Sequence, residues 1–312
     1  MENILITGSA GFIGSHLTEK LVEEGNKVKV LVNYNSRNNW GWLENNPVLK
    51  DVEIISGNIR DFDLVNNATK DCDTVFHLAA LIGIPYSYIS PSAYIKTNIE
   101  LPTKLIHLSS QYNLKFFINT GSFFEYDFNK NPISEDSNIS PHNLYASSKL
   151  AFDCIIKYYA NHSSLNIVTL KLAAVYGYND KQKLISYLMK SAINDEDTIL
   201  EKGEHEWDFI YVKDVVHAYI KSIELCLYSK RTLFEEILIG TGFKNSIKDI
   251  VKIINKLSGK DIIKLEKDYP SNQIFLAYLD NSKAKNMLQW IPQYSLSDGL
   301  IETYNLYKEN NK

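Results

Sequence analysis

The sequence predicts an α/β fold: a doubly wound parallel sheet joined by a smaller, mixed α/β lobe towards the C-terminus. Three observations predict it. Short β-branched runs alternate with helix-length amphipathic segments through the first half of the chain. The glycine pattern TGSAGFIGSHL follows directly on the first of those runs. At 312 residues the chain exceeds what one hydrophobic core ordinarily organises and suits two lobes.

Taken in order, ENILIT (2–7) reads as a strand and FIGSHLTEKLVEEG as the helix after it. NKVKVLV (26–32) is a second strand running into a polar loop. VEIIS (52–56), DTVFHLAA (73–80), KFFINTG (115–121) and NIVTLKLAAV (166–175) recur at helix-length intervals. Such strands, apolar nearly throughout, fit a parallel sheet covered on both faces. HNLYASSKLAFDCIIKYYANH (142–162) places Leu150, Cys154, Ile155 and Tyr158 at helical spacing. From about 176 the texture changes, with helices such as KLISYLMKSAI and NSIKDIVKIINKLSG between short segments, WDFIYV (207–212) and EEILIG (235–240) among them. The expected division is a first domain over 1–175 and a second over 176–312, with part of 205–240 returning to the first.

Hydrophobic residues make up 45% and charged residues 22% of the chain, an ordinary globular balance. A net charge of −4 without a basic block argues against nucleic acid or an anionic membrane as the main partner. Cys72, Cys154 and Cys226 lie far apart, with no CxxC and no His pair, so they read as reduced thiols and no metal site is expected. No stretch approaches the roughly 20 apolar residues that span a bilayer. MENILITGSAGF carries no basic segment ahead of an apolar one, so a cytoplasmic location is expected.

Gly8, Gly11 and Gly14 stand between a strand and a helix. The first permits a tight turn, the second lets backbone approach a pyrophosphate, and the third lets helix pack on strand. The helix start adds free N–H groups and the positive end of its dipole. This marks a Rossmann-type dinucleotide site over 1–175 and leaves 176–312 mainly for substrate. An acid closing the second strand would bind the ribose hydroxyls of NAD; Val32 and Asn33 occupy that place, and Ser36 and Arg37 follow, able to receive a 2′-phosphate. The reading therefore favours NADP(H) over NAD(H).

Tyr145 and Lys149, in YASSK, share one helical face. A nearby ammonium lowers a phenol pKa of about 10 towards the working range, which makes Tyr145 a proton donor or acceptor at a carbinol or carbonyl oxygen. Tyr126/Lys130 and Tyr304/Lys308 have the same spacing, but only Tyr145 follows a strand-end hydroxyl, Ser122 in NTGSFFEYD, by about 23 residues within the dinucleotide half. Thr120 is the competing hydroxyl.

TGSAGFIGSHL, FHLAA (76–80), Ser122, YASSK and WDFIYVKD (207–214) together resemble the extended short-chain dehydrogenase/reductases: nucleotide-sugar epimerases, dehydratases and 4-keto-sugar reductases. The resemblance runs from residue 4 to about 300. YNSRNNWGWLENN and LIGIPYSYISP look closest to bacterial amino- and deoxysugar 4,6-dehydratases, whereas LISYLMK, the segment around WDFIYVKDVVHAY and DNSKAKNMLQW look closer to the reductases. Carried over, it implies that Gly8, Gly11 and Gly14, with Phe12 and Ile13 between them, bind the pyrophosphate. Asn58 (usually Asp) and Ile59 flank the adenine, and Leu78, Ala79 and Ala80 line the cofactor. Ser122, Tyr145 and Lys149 become the catalytic triad. Asn98 belongs to the active-site wall against the cofactor, and Ser87, Phe123, Phe124, Ala174 and Trp207 stand near the substrate. It further implies a nucleotide-sugar substrate, a role in bacterial surface-polysaccharide sugar biosynthesis, and a homodimer formed through helices at 93–112 and 144–162.

The departures are as informative. The 4,6-dehydratases carry an Asp-Glu pair after the catalytic hydroxyl; Phe123 and Phe124 have no proton to exchange, leaving only Glu125, one place later. The family's R-x-x-N-x-Y-G-P appears as Lys171 to Tyr178 with Ala174 for Asn, Trp207 replaces an Arg, and YPSNQ (269–273) lacks another. Each lost charge-assisted contact removes about 1.5–3 kcal/mol. Lys181, Lys183 and Lys202 are candidate replacements, otherwise solvated cations. The expected function is an NAD(P)-dependent oxidoreductase at C4 of a nucleotide-activated (deoxy)sugar, as 4-keto reductase or 4-epimerase. The alternatives are a 4,6-dehydratase and, in a different class, a non-catalytic dinucleotide sensor.

Overall fold

Valine, isoleucine and phenylalanine fill the strand runs because both faces of each strand meet helices. The computed structural model describes residues 2–33, 39–44, 46–180, 183–229, 232–269 and 274–310. It begins with β1 (Asn3–Thr7), α1 (Phe12–Glu23), β2 (Lys27–Val32), β3 (Val52–Ser56), α2 (Phe62–Thr69) and β4 (Thr74–His77), the alternation expected from the sequence. Two short helices follow, α3 (Ile84–Ile89) and α4 (Pro91–Tyr94), then a π turn (Ile95–Glu100) leading into α5 (Leu101–Gln111). The continuous helix expected over 93–112 is thus widened in its first half. Pro102 has no amide hydrogen for the carbonyl one α-turn earlier, and a π turn is one way to absorb that loss.

β5 (Phe116–Ser122), α6 (Leu144–His162), β6 (Asn166–Leu172) and β7 (Ala174–Tyr176) come next. The Asn143 side chain starts α6 by accepting the Ala146 N–H at 2.8 Å. The remaining chain gives α7 (Leu184–Ile193), β8 (Thr198–Glu201), β9 (Glu206–Trp207), β10 (Phe209–Tyr211), α8 (Val212–Tyr228) and β11 (Phe234–Ile239). It ends with β12 (Asn245–Ser246), α9 (Ile247–Ser258), β13 (Ile263–Lys267), β14 (Leu276–Ala277), α10 (Ser282–Leu288) and α11 (Leu296–Asn310). The short WDFIYV segment is divided between β9 and β10, with Asp208 at the break. There the buried Asp208 carboxylate accepts N–H groups of Thr241 (2.8 Å), Gly242 (3.0 Å) and Leu279 (3.3 Å), which fixes Trp207 beside it.

Seven parallel strands form one sheet in the order β11-β6-β5-β4-β1-β2-β3. The direction of winding reverses between β1 and β4, so the loops after them diverge and open a crevice at their carboxyl ends. α1 and α8 pack against each other on one face; α2, α5 and α6 form a row on the other.

His77, the last residue of β4, lies in the second of these packing layers, stacked on Phe117 at 6.3 Å and edge-on to Phe152 at 5.9 Å. Its Nδ1 is 2.8 Å from Thr7 Oγ1. Burial, reinforced by Lys149, pushes its pKa down to about 3. The unfolded chain binds a proton at this residue below about pH 6.5, whereas the folded chain does not until about 3. Stability contributed here is complete above the unfolded pKa and falls with pH by up to about 1.4 kcal/mol per unit. Urea unfolding of His77→Asn is therefore expected to show a shallower acid limb than the parent; identical slopes would remove His77 from the acid response.

Candidate active site

Geometry at the end of β1 is dictated by two glycines. Gly8 has φ +79°, and a Cβ there would stand 2.7 Å from the Ala79 nitrogen. A Cβ on Gly14 would stand 2.2 Å from the Gly8 carbonyl oxygen. α1 starts at Gly11 without any side-chain cap, so its first N–H groups remain available at the crevice. This cradle fits a dinucleotide pyrophosphate.

The crevice is a cavity of about 820 Å³. Gly8, Gly11, Phe12, Ile13 and Gly14 line it at one end, with Asn33, Asn58 and Ile59 beyond them and Leu78, Ala79 and Ala80 opposite. Ser122, Tyr145 and Lys149 line its other end beside Phe123, Phe124, Ala174 and Trp207. Ser36 and Arg37 lie outside the described residues. Arg60, which the sequence reading passed over, also borders the cavity and donates through Nε to Asn58 Oδ1 at 3.1 Å.

Two of the expected site residues do not line the cavity. Ser87 is fully buried, its hydroxyl donating to the Ile84 carbonyl at 2.6 Å, because a helical serine can fold back onto its own turn. Asn98 is buried behind the wall rather than in it. It accepts the Leu81 N–H at 2.9 Å and donates to the Leu81 carbonyl and Ser148 Oγ, each at 2.9 Å. It therefore clamps the cofactor-side loop onto α6; its side-chain direction is set by the π turn.

The Ser122 end of the cavity is built from β5 and α6. Ser122 accepts the Phe124 N–H at 3.3 Å, and Ser122 and Tyr145 line the same cavity. Thr120 is occupied elsewhere: its hydroxyl donates to the His77 carbonyl at 2.9 Å and sits 2.6 Å from the Tyr219 hydroxyl. The lowering expected from Lys149 is not found: burial pushes the Tyr145 phenol up to about 12, with Ser122 pulling the other way. Burial also lowers the pKa of the Lys149 ammonium, against the opposing pull of Asp153 and Glu125. A half-buried phenol that stays protonated at neutral pH, at a cavity it shares with a serine hydroxyl and one turn from a lysine, can hold a substrate oxygen and give it a proton.

Around this pair the walls are aromatic. Phe123 and Phe124 are 4.5 Å apart, and Trp207 stands 6.1 and 5.9 Å from them. The Trp207 indole N–H is spent on the Ile274 carbonyl at 2.9 Å. Glu125, the residual candidate for an acid, is 0% exposed and faces away from the cavity. Its Oε1 accepts the Ser122 N–H at 2.9 Å and its Oε2 accepts from Lys171 Nζ at 2.8 Å.

A second cavity of about 390 Å³, between β7, α7, β8 and β9, shares Ala174, Val175, Asp180, Lys183 and Trp207 with the first. Of the three candidate lysines, Lys183 stands at this junction, with its ammonium donating to the Val175 carbonyl at 3.1 Å and lying 5.7 Å over the Phe12 ring. Lys202 is exposed and paired with Asp268 at 2.7 Å; Lys181 lies outside the described residues. Among the described residues no cluster of metal-ligating side chains occurs, and no helix is long and apolar enough to cross a membrane.

A doubly wound sheet, a glycine cradle at its switch point and a Ser–Tyr–Lys constellation define a dinucleotide-dependent enzyme class. The profile of the NAD dependent epimerase/dehydratase family matches residues 4–229, and the chain belongs to that family. A putative UDP-glucose 4-epimerase of Methanocaldococcus jannaschii is 29% identical over 99% of both chains. A CDP-abequose synthase of Salmonella muenchen is 29% identical over 82% of this chain and 80% of its own. The UDP-glucuronic acid 4-epimerase of Bacillus cereus, solved with UDP-glucuronic acid and NAD, superposes with a TM-score of 0.87 at 28% identity, covering 99% of this chain and all (100%) of that one.

Gly14→Ala is expected to weaken binding of NADH and NADPH at least about tenfold, by displacing the Gly8 carbonyl. Isothermal titration against both cofactors measures this, and undiminished affinity would refute the cradle.

Proposed function

We propose that the protein is an NADP(H)-favouring oxidoreductase that reduces the 4-keto group of a nucleotide-activated deoxysugar in surface-polysaccharide sugar biosynthesis. One observation carries the reading: the Ser122–Tyr145 pair and Lys149 face the dinucleotide cavity, while the positions after Ser122 hold phenylalanines and Glu125 is turned into the sheet. The bound cofactor would supply the hydride. Ser122 and Tyr145 orient the C4 oxygen, and Tyr145, kept protonated by burial, delivers its proton. Lys149 holds the cofactor side of the site and supports the charge that Tyr145 acquires.

Water loss across neighbouring carbons needs an acid and a base beside the sugar, and Phe123, Phe124 and Trp207 offer neither. A sugar hydroxyl pressed on those rings without a partner would lose about 1–3 kcal/mol, so deoxygenated carbons fit best beside C4. NADP(H) is favoured because Asn33 closes the second strand where NAD selection wants an acid, and Arg60 adds a cation at that end. Lys183, at the junction of the two cavities, is the cation placed to meet the diphosphate. The second reading, 4-epimerisation with retained cofactor, uses the same residues and draws support from the epimerases among the relatives.

Incubation with UDP- and CDP-linked 4-keto-6-deoxysugars and either cofactor tests this, following absorbance at 340 nm and product mass. NADPH consumption with two added hydrogens is expected. No consumption of either cofactor would overturn reduction, and an isomeric product would establish the epimerase. Tyr145→Phe is expected to lower kcat by about 10²–10⁴-fold; full retention would overturn the catalytic assignment and leave a dinucleotide-binding role. Lys183→Met is expected to raise KM for the sugar nucleotide at least about tenfold with kcat little changed. An unchanged KM would release Lys183 from substrate.

A further inference from the structure

Beneath the reacting end, on the side of the sheet away from the cavity, lies a buried charge cluster that the proposed chemistry does not use. Lys171, on β6, is 1% exposed. Its ammonium lies 2.8 Å from Glu125 Oε2, 3.1 Å from Asp153 Oδ2 and 3.3 Å from Glu236 Oε1. These carboxylates come from three places: the turn after β5, helix α6 and strand β11. Burial works against charge on Lys171, but Asp153 and Glu125 hold it protonated. Asp153 Oδ2 and Glu236 Oε1 meet the ammonium as ion pairs and accept no other hydrogen bond among the described residues, so three carboxylates share this one ammonium.

Two of the three links lead to the reacting groups. Glu125 reaches back to accept the Ser122 N–H at 2.9 Å. Asp153 stands one turn beyond Lys149 and two beyond Tyr145 on α6. The Lys171 stem also fills the space over Gly121, where a Cβ would come within 2.8 Å of its Cγ. We propose that Lys171 is a positioning residue: one buried ammonium ties the Ser122 turn, through Glu125, to the Tyr145–Lys149 helix, through Asp153, and so sets the separation of the two hydroxyls. This rests on the proposed reading of Ser122 and Tyr145 as the reacting pair.

The test compares Lys171→Met, Lys171→Arg and Glu125→Gln with the parent, using NADPH and the UDP- or CDP-linked 4-keto-6-deoxysugar that the parent turns over. Hydrogen–deuterium exchange over residues 119–126 and 144–153 is measured alongside. Lys171→Met is expected to lower kcat about 10–100-fold, leave KM for NADPH within about twofold, and speed exchange at Ser122. Lys171→Arg, which keeps the charge, is expected to recover most of kcat. Glu125→Gln keeps an acceptor for Ser122 while weakening the ion pair; it covers the case in which Lys171→Met does not fold, with an expected loss of about tenfold.

Unchanged kcat in folded Lys171→Met, or in Glu125→Gln, would overturn the proposal. So would an Arg variant as impaired as the Met variant. If Tyr145→Phe retains full turnover, the functional reading fails by itself; the exchange data then decide the link, and unaltered protection at Ser122 in Lys171→Met would overturn it.

Discussion

At the carboxyl ends of β1 and β4 the chain leaves the sheet in opposite senses, and every functional feature depends on how closely the two exits approach. Gly8 and the Ala79 backbone are so near that a single methyl group on Gly8 would collide at 2.7 Å. Gly14 brings α1 down onto Gly8 with no space for a side chain. This close approach leaves backbone N–H groups, not side chains, at the floor of the crevice, which suits a ligand that carries its own charge. Asn98 then clamps the Leu81 stretch onto α6, so the cofactor wall and the reacting helix share one support.

The reacting end solves a different problem. Ser122 and Tyr145 must be held together without being consumed by other partners. Thr120 shows the contrast two residues earlier: its hydroxyl is tied to the His77 carbonyl and the Tyr219 hydroxyl and has little left to offer. Ser122 instead gets its rigidity from the backbone, through the Glu125 carboxylate on its N–H, and keeps its hydroxyl beside Tyr145. A glutamate that sequence reading could regard as a displaced acid is therefore structural.

Local chemistry was legible in the sequence; cross-strand chemistry was not. The glycine loop and the Tyr145/Lys149 pair declare themselves by short spacing, and the structure brings them to one cavity. Ser87 and Asn98 were read as lining residues because sequence gives an address without a side-chain direction. The direction of Asn98 follows from a π turn, and that of Ser87 from bonding to its own helix. The Lys171–Glu125 pair spans 46 positions and two strands, with no periodicity to announce it. Lys183 was one lysine of three until its place at the junction of two cavities set it apart.

For the proposed reduction, these parts agree on the direction of proton flow. Burial raises the pKa of Tyr145, which favours a phenol that gives up a proton only as negative charge develops on the substrate oxygen. Lys149, one turn away and itself desolvated, has Asp153 and Glu125 acting in favour of its charge, and a phenolate on Tyr145 would add to that support. The aromatic walls of Phe123, Phe124 and Trp207 keep the local dielectric low and strengthen both effects. The same walls withhold any second acid or base from the carbons around it. On the proposed reduction, one proton at one oxygen is the chemistry that Ser122, Tyr145 and Lys149 would carry, with rings at the positions beside them.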